Sequence, residues 1–460
     1  MRSNGVNNVL IIFFIIIFTM TVSFPIFHMI NALYAMRSDK RKNKIIPVRK
    51  RGISVLIPCY NEESIIETTI NAMNNLTYKN VEFVFINDGS SDNTLMKIKD
   101  TILLKQIEKR CVLTKLEFKP IKSMYEAVEN PNIIVIDKFN GGKADALNAG
   151  IMLASHSIIV TLDADSMLDN SALDKINEAF HDENVIAAGG IVHVLQGRKW
   201  KKGSLVPTLK TKLIVKLQIL EYFRGFFVYK ASLAKSNALS IISGAFGVFR
   251  KDVLLQVNGY RNTVGEDIDI TLKVQNYVKK HPNSKILFLP DAACYTEVPE
   301  SWRDLYKQRI RWQKAFTDCL VLYKKEFLTT IFTRKLSFFF LIDSFFVGIV
   351  CSYIFITSAI WILFNLHTFD LRFILLYVIL SSTCNLLYNF AALYTASKYN
   401  QIFPNVNIHS IALTIVLDLL FFRFLNILII CIGTVSYFIK REGWNKVART
   451  GRDYTFEQGN

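Results

Sequence analysis

The sequence predicts an α/β domain with a mostly parallel sheet, inserted between an N-terminal transmembrane helix and a C-terminal transmembrane helical bundle. Three observations lead there. Apolar runs of bilayer length lie near both ends, short β-rich runs alternate with helical segments between residues 52 and about 300, and each run stops at an acidic or glycine-rich turn. Alternating strands and helices build a sheet covered on both faces. Ligands in such sheets bind beyond the C-terminal strand ends, so the polar residues after each run converge on one crevice.

Composition agrees. The 460 residues are 51% hydrophobic and 13% aromatic, with 35 phenylalanines. A disordered chain lacks such apolar surface, and a soluble domain reaches about 45–50% only with glycine counted in. Lys and Arg number 55 against 38 Asp and Glu, a formal charge of +17. A basic total raises nucleic acid as a partner, but these charges cluster at membrane flanks and no RNA- or DNA-binding motif accompanies them. No nucleic-acid partner is expected. Seven cysteines, at 59, 111, 294, 319, 351, 384 and 431, have no metal or redox spacing and read as reduced thiols.

Residues 9–34 contain no Lys, Arg, Asp or Glu and exceed the roughly 20 residues a bilayer requires. The run is too long for a signal-peptide core and leads into cations rather than a cleavage site. We assign 1–35 as a transmembrane anchor and 36–51 as a basic cytoplasmic linker carrying Arg37, Lys40, Arg41, Lys42, Lys44, Arg49, Lys50 and Arg51. By the positive-inside rule the central domain, 52–320, faces the cytoplasm. Stretches at 336–364, 373–396 and 411–438 give about three spans within 321–439, interrupted by Asp343, Asp418 and Arg423. Three crossings place the basic tail, 440–460, outside, against the same charge rule.

In the middle, residues 53–58, 81–86, 133–137 and 158–162 read as strands, and 62–76 and 268–278 as helices. Asp163 and Asp165 leave the fourth strand two residues apart, so both can reach a hard ion such as Mg²⁺ or Mn²⁺. Alone, the pair reads first as a helix cap. Gly141-Gly142-Lys143 is a turn allowing close backbone approach, with a cation able to meet phosphate; an ordinary glycine turn looks the same. Gly265-Glu266-Asp267 precedes a helix, where acids cap, and Asp267 is a candidate base for a sugar hydroxyl. Gln308, Arg309, Arg311 and Trp312 lie on a helix whose expected apolar face is Trp302, Leu305, Tyr306, the Arg309 stem, Phe316 and Leu320. They serve either as interfacial anchors or as a clamp on pyrophosphate. Residues 209–230, with Leu209, Leu213, Leu217, Leu220 and Phe227 on one face, read equally as a membrane-surface helix or as a packed one.

The order of motifs is more specific than any one of them. Residues 54–62 (SVLIPCYNE), 87–92 (NDGSSD), 141–148 (GGKADALN), 163–165 (DAD), 243–249 (SGAFGVF), 265–267 (GED) and 308–312 (QRIRW) together resemble the processive family 2 glycosyltransferases. Within these, the chain is similar to the poly-N-acetylglucosamine, chitin-oligosaccharide and hyaluronan synthase group. The likeness covers roughly 52–320 and the flanking spans.

The resemblance implies a GT-A-like fold in a multi-pass plasma-membrane protein, with its catalytic domain cytoplasmic. It implies an inverting β-glycosyltransferase that moves a sugar, N-acetylglucosamine in this group, from a UDP-sugar to a growing polysaccharide and helps export it. The alternative is single transfer to a lipid or glycolipid. On this resemblance Asp88 holds the uridine, Asp163 the nucleotide at the metal, and Asp165 ligates Mg²⁺ or Mn²⁺. Lys143 joins the donor site, and Asp267 is the general base. Gln308, Arg309, Arg311 and Trp312 cover the pyrophosphate, Trp312 also meeting the acceptor. Ser243, Gly244, Ala245, Phe246 and Glu266 line the acceptor side. Many members carry Thr where this chain has Gly265, which bears on the acceptor hydroxyl contact. The expected partners are the UDP-sugar, a carbohydrate or glycolipid acceptor, the lipid bilayer and an accessory membrane subunit.

Overall fold

The computed structural model describes residues 2–37, 49–108, 115–201, 204–208, 210–364, 371–399 and 408–439. Lys40, Arg41, Lys42 and Lys44 of the basic linker, Cys111, Leu209 and the basic tail lie outside the described residues. The chain forms two compact units.

The sheet unit is drawn from Asn43–Val215 and Leu239–Gln308. Its strands are β1 (Ile53–Cys59), β2 (Val81–Asp88), β3 (Leu104–Ile107), β4 (Ile121–Ala127), β5 (Ile133–Lys138), β6 (Ile158–Leu162), β7 (Ser166–Leu168), β8 (Val185–Val194), β9 (Arg198–Lys201), β10 (Ser204–Pro207), β11 (Phe246–Arg250) and β12 (Lys285–Thr296). Strands β9 and β10 form a separate hairpin. The other ten make one sheet in the order β3-β4-β5-β2-β1-β6-β11-β8-β12-β7.

The centre of this sheet, β5-β2-β1-β6, is parallel as the sequence predicts. Strands β1 and β2 are largely apolar because both of their faces are buried, and the polar pair inside them, Ser54 and Glu82, bond each other at 2.5 Å. The flanks are mostly antiparallel, with β8 and β12 parallel to each other, so the whole sheet is mixed. On one side the cause is length: only residues 128–132 join β4 to β5, and a parallel pair needs a crossover of a dozen or more. The helix expected over 62–76 is shorter, Ile66–Asn74. Residues 62–65 form a turn instead, with the Ile65 and Ile66 amides both donating to the Glu62 carbonyl. The helix expected over 268–278 runs Glu266–Lys280, with acids in its first turn and Lys279 and Lys280 in its last, as the helix dipole favours.

The helical unit is drawn from Met1–Lys42, Lys216–Ala238 and Arg309–Gly443. Four of its stretches, Ile17–Arg37, Lys335–Phe364, Leu375–Lys398 and Ile408–Ile439, are long and apolar enough to cross a membrane. The first belongs to a helix, Arg2–Arg37, that continues through Pro25.

The segment from residue 213 is decided in favour of packing. Leu213–Phe223 continues through π-helical turns, Arg224–Lys230, into Ala231–Lys235. Leu217, Leu220 and Phe227 are buried, whereas Leu213 is exposed. Lys210 and Lys212 are exposed, but Arg224 is used internally. Arg224 grips Asp418 at 2.5 and 3.0 Å and donates to Asn389 at 2.9 Å. Asp418 also receives Arg423 at 3.1 Å, and Arg423 donates to Asn385.

A second polar cluster lies in the same unit. His28 meets Ser232 Oγ at 2.8 Å and Asp343 at 3.0 Å, while Asn31 donates to Ser232 and Ser236. Further π-helical turns run Phe339–Val350, containing Asp343, and Asp418–Phe422, beginning at Asp418. Irregular turns of this kind are frequent at functional sites. The three charges that interrupt the apolar stretches therefore all find polar partners, as apolar surroundings demand.

Candidate active site

The site grows from the C-terminal ends of the central strands. Strand β2 ends at Asp88, which is buried. Its carboxylate accepts from Lys138 Nζ at 2.6 Å, from the amides of Gly141 at 3.0 Å and Gly142 at 2.7 Å, and from Asn140 Nδ2 at 3.2 Å. Lys138 ends the neighbouring β5, is fully buried, and also reaches Asp145 at 2.5 Å. Asp88 and Lys138 thus fix the glycine turn from below.

That turn needs its glycines. Gly142 has φ +92°, which L side chains rarely adopt, and a Cβ on Gly141 would meet the Asp145 carboxylate at 2.3 Å. Immediately beyond, Lys143 opens the helix Lys143–Leu153. A cation in the first turn opposes the helix dipole, so carboxylates must hold it there. Lys143 Nζ lies 2.6 Å from Asp163, 3.1 Å from Glu266 and 3.4 Å from the Gly244 carbonyl.

Asp163 follows β6, and its side chain is 31% exposed. Asp165 is buried and accepts from Ser166 Oγ and Thr296 Oγ1, each at 3.3 Å. Glu266 and Asp267 occupy the first turn of their helix, behind Gly265 as N-cap. Asp267 Oδ1 accepts from the Ile268 amide at 2.8 Å, and Oδ2 from the Gly244 amide at 3.3 Å. Ser243 turns the chain into β11 by accepting from the Phe246 amide at 3.0 Å, and Ala245 accepts from Cys294 Sγ at 3.8 Å. Lys143, Asp163, Gly244, Glu266 and Asp267 are thereby brought together, joining four separate segments of the sequence.

Electrostatics follow from that crowding. Burial alone would lower the Lys143 pKa, but Asp163 and Glu266 outweigh it and raise it above the ordinary lysine range. Burial raises the Glu266 pKa; Lys143 opposes this and Asp267 adds to it. One ammonium shared among several carboxylates gains more than any single carboxylate does, so burial prevails at Glu266. Burial likewise raises the Tyr260 phenol beside this group.

The residues fit a metal completed by substrate. Among the described residues no group of three or more His, Cys, Asp or Glu side chains is placed to hold an ion. Asp163 and Asp165 offer hard oxygens of the kind that bind Mg²⁺ through one or two carboxylates, with phosphates and waters completing the shell. The Lys143 ammonium against Asp163 already shows that this carboxylate accepts a cation.

Gln308 ends the sheet unit, is buried, and its Oε1 has no hydrogen-bond partner. Arg309, Arg311 and Trp312 belong to the helical unit. There Arg309 pairs with Glu221 at 2.6 Å and lies 4.2 Å from the Trp312 ring centroid. The apolar face expected for this helix is corrected: Leu305 is fully buried, but Trp302 and Tyr306 are 44% and 42% exposed. The buried positions are Leu305, Gln308, Arg309, Ala315, Thr317, Cys319 and Phe327. Sequence reasoning missed Lys138 and Asp145, since a lysine ending a strand reads as solvated; its one signal was a cation five residues before Lys143 beside the glycine turn.

A family model described as "Glycosyltransferase like family 2" matches residues 50–315. The chain is 29% identical over 371 residues to a poly-beta-1,6-N-acetyl-D-glucosamine synthase of Staphylococcus epidermidis, covering 78% of this chain and 79% of that one. It is 31% identical over 307 residues to the protein of that name from Staphylococcus aureus (strain COL), covering 66% of this chain and 63% of that one. Among solved structures, a mannosyltransferase from Pyrobaculum calidifontis in complex with GDP-Man and Mn2+ aligns with TM-score 0.48 and 16% identity, over 93% of this chain and 100% of that chain. The family match spans more than half of the sequence and contains the whole acidic cluster with its lysine, and the chain belongs to the family 2 glycosyltransferases.

Proposed function

We propose that this protein is a membrane-embedded inverting β-glycosyltransferase that lengthens an N-acetylglucosamine polymer from UDP-N-acetylglucosamine, with its catalytic side in the cytoplasm. The observation that carries the reading is the Asp267 carboxylate, held by the Gly244 amide beside the Lys143–Asp163 pair. The names of the relatives support the polymer.

Inverting transfer needs one base for the incoming hydroxyl and charge stabilisation for the departing diphosphate. Asp267 takes the acceptor proton. Its Gly244 and Ile268 hydrogen bonds fix the carboxylate, and Glu266, held by Lys143, stands on its flank. Lys143 faces the donor phosphates, and Asp88 holds the turn that carries it beside the uridine position. Asp163 and Asp165 would hold Mg²⁺ or Mn²⁺, which when bound neutralises charge on the diphosphate. Ser243, Gly244, Ala245 and Phe246 line the acceptor side. The spans give the product its way across the bilayer.

The test is product length. The purified protein in lipid nanodiscs receives labelled UDP-N-acetylglucosamine with Mg²⁺ or Mn²⁺. A ladder of oligomers cleaved by a β-1,6-specific glycosidase is expected. A single labelled lipid product would replace the polymer reading, and no metal-dependent UDP release would overturn the donor assignment.

A further inference from the structure

The lysine at the head of the glycine-turn helix sits where a divalent ion would otherwise draw its first carboxylate. We propose that Lys143 is a tethered counter-cation that keeps Asp163 from binding a free divalent ion, so that the ion enters only together with the donor diphosphate. This rests on the glycosyltransferase reading and assigns a control step within that site.

The geometry is specific. Lys143 Nζ is 2.6 Å from Asp163 Oδ1, closer than to Glu266 at 3.1 Å or to the Gly244 carbonyl at 3.4 Å. The glycine turn cannot yield to let the lysine drift, because Asp88 receives both glycine amides and Lys138 locks Asp88. On the other side the lysine meets a close wall. A Cβ on Gly244 would lie 3.0 Å from Nζ and 3.4 Å from Asp267 Cβ.

Mg²⁺ bonds its oxygens at about 2.0–2.1 Å, and two cations on one carboxylate repel strongly in a partly buried site. The ammonium and the ion are therefore competitors for Asp163. The protein cannot compensate with a cage, since no set of three or more ligating side chains stands among the described residues. A diphosphate changes both sides of this balance. It offers the ion additional oxygens and offers the flexible lysine stem a new anion, so Asp163 is released as the metal-donor pair arrives.

The experiment uses the full chain in detergent, with Mn²⁺ binding read by electron paramagnetic resonance, with and without UDP. Wild type and Lys143→Arg are expected to bind Mn²⁺ weakly alone and about tenfold or more tightly with UDP. Lys143→Met is expected to bind Mn²⁺ without UDP about tenfold more tightly than wild type and to lose most of the UDP enhancement. Lys143→Met leaves Glu266 buried without its cation, so Lys143→Met/Glu266→Gln serves as the better-folded form and carries the same expectation. Equal Mn²⁺ affinity of wild type with and without UDP would overturn the proposal, as would unchanged or weaker binding by both methionine variants. Sugar transfer is measured in parallel. Absent transfer by wild type with this Mn²⁺ pattern intact counts against the proposed function while supporting the lysine's role.

Discussion

Arg224 and Asp418 meet at 2.5 and 3.0 Å although 194 residues separate them in sequence. Asp418 is fully buried and answers Arg423 as well, so two guanidinium groups depend on one carboxylate inside the helical unit. Such a cluster is costly to break, because what remains is an uncompensated buried charge rather than a gap. Asp418→Asn is expected to destabilise the protein by about 3–5 kcal/mol, seen as a lower midpoint in detergent thermal unfolding. Arg224→Met/Asp418→Leu, which removes a whole pair, should recover much of that loss. Equal midpoints for wild type and Asp418→Asn would mean that the cluster is not the staple.

Asp267 is expected to be separable from donor binding. Asp267→Asn can still accept from the Ile268 amide but cannot take a proton. Transfer should fall by about 10²–10⁴-fold, the usual worth of a positioned base, while UDP affinity in a binding titration stays near wild type. Turnover close to wild type would remove Asp267 from the role of base.

Lys138 should matter more than its place in the sequence suggests. It is fully buried between Asp88 and Asp145 at 2.6 and 2.5 Å. Lys138→Met leaves both acids without their cation, and about 3–5 kcal/mol of stability is at stake. The glycine turn also loses its anchor, so the donor KM is expected to rise more than kcat falls. Lys138→Arg should restore part of the KM, whereas a purely structural lysine would leave KM unmoved in the surviving folded fraction.

Glu266 gives a pH dependence with a definite sign. Burial raises its pKa above the 4.5 of a free glutamate. The folded state therefore holds a proton that the unfolded state has released, and stability falls as pH rises from about the unfolded value through the raised one. Comparing wild type with Glu266→Gln over pH 4 to 8, the advantage of wild type should be greatest at the acid end and shrink upward. A difference that grows with pH would show that Lys143 has overcome burial at this carboxylate.

The sequence made the parallel centre and much of the site legible for one reason. Strands buried on both faces are largely apolar runs, and the chain turns polar where they end, so Asp163 and Asp165 were legible as an acidic pair at a strand end, while a role for Asp88 came only with the order of motifs. Gly141, Gly142 and Lys143 were legible as a glycine turn ahead of a helix, a pattern that an ordinary turn shares. The antiparallel flanks were not, since pairing direction depends on how many residues join two strands and on which neighbour each finds.

What the sequence by itself determined is the family, the apolar stretches of bilayer length and the strand-end acids, all of which are local patterns or their order. Only the tertiary structure decided the partners of the charges. Lys138 became a buried bridge rather than a solvated end, Lys143 became the cation of Asp163 and Glu266, and the helix from Leu213 to Lys235 became an internal strut through Arg224 and Ser232. The reason is physical: a buried charge is tolerable only beside its opposite, and that opposite lies as many as 194 residues away, as Asp418 does from Arg224.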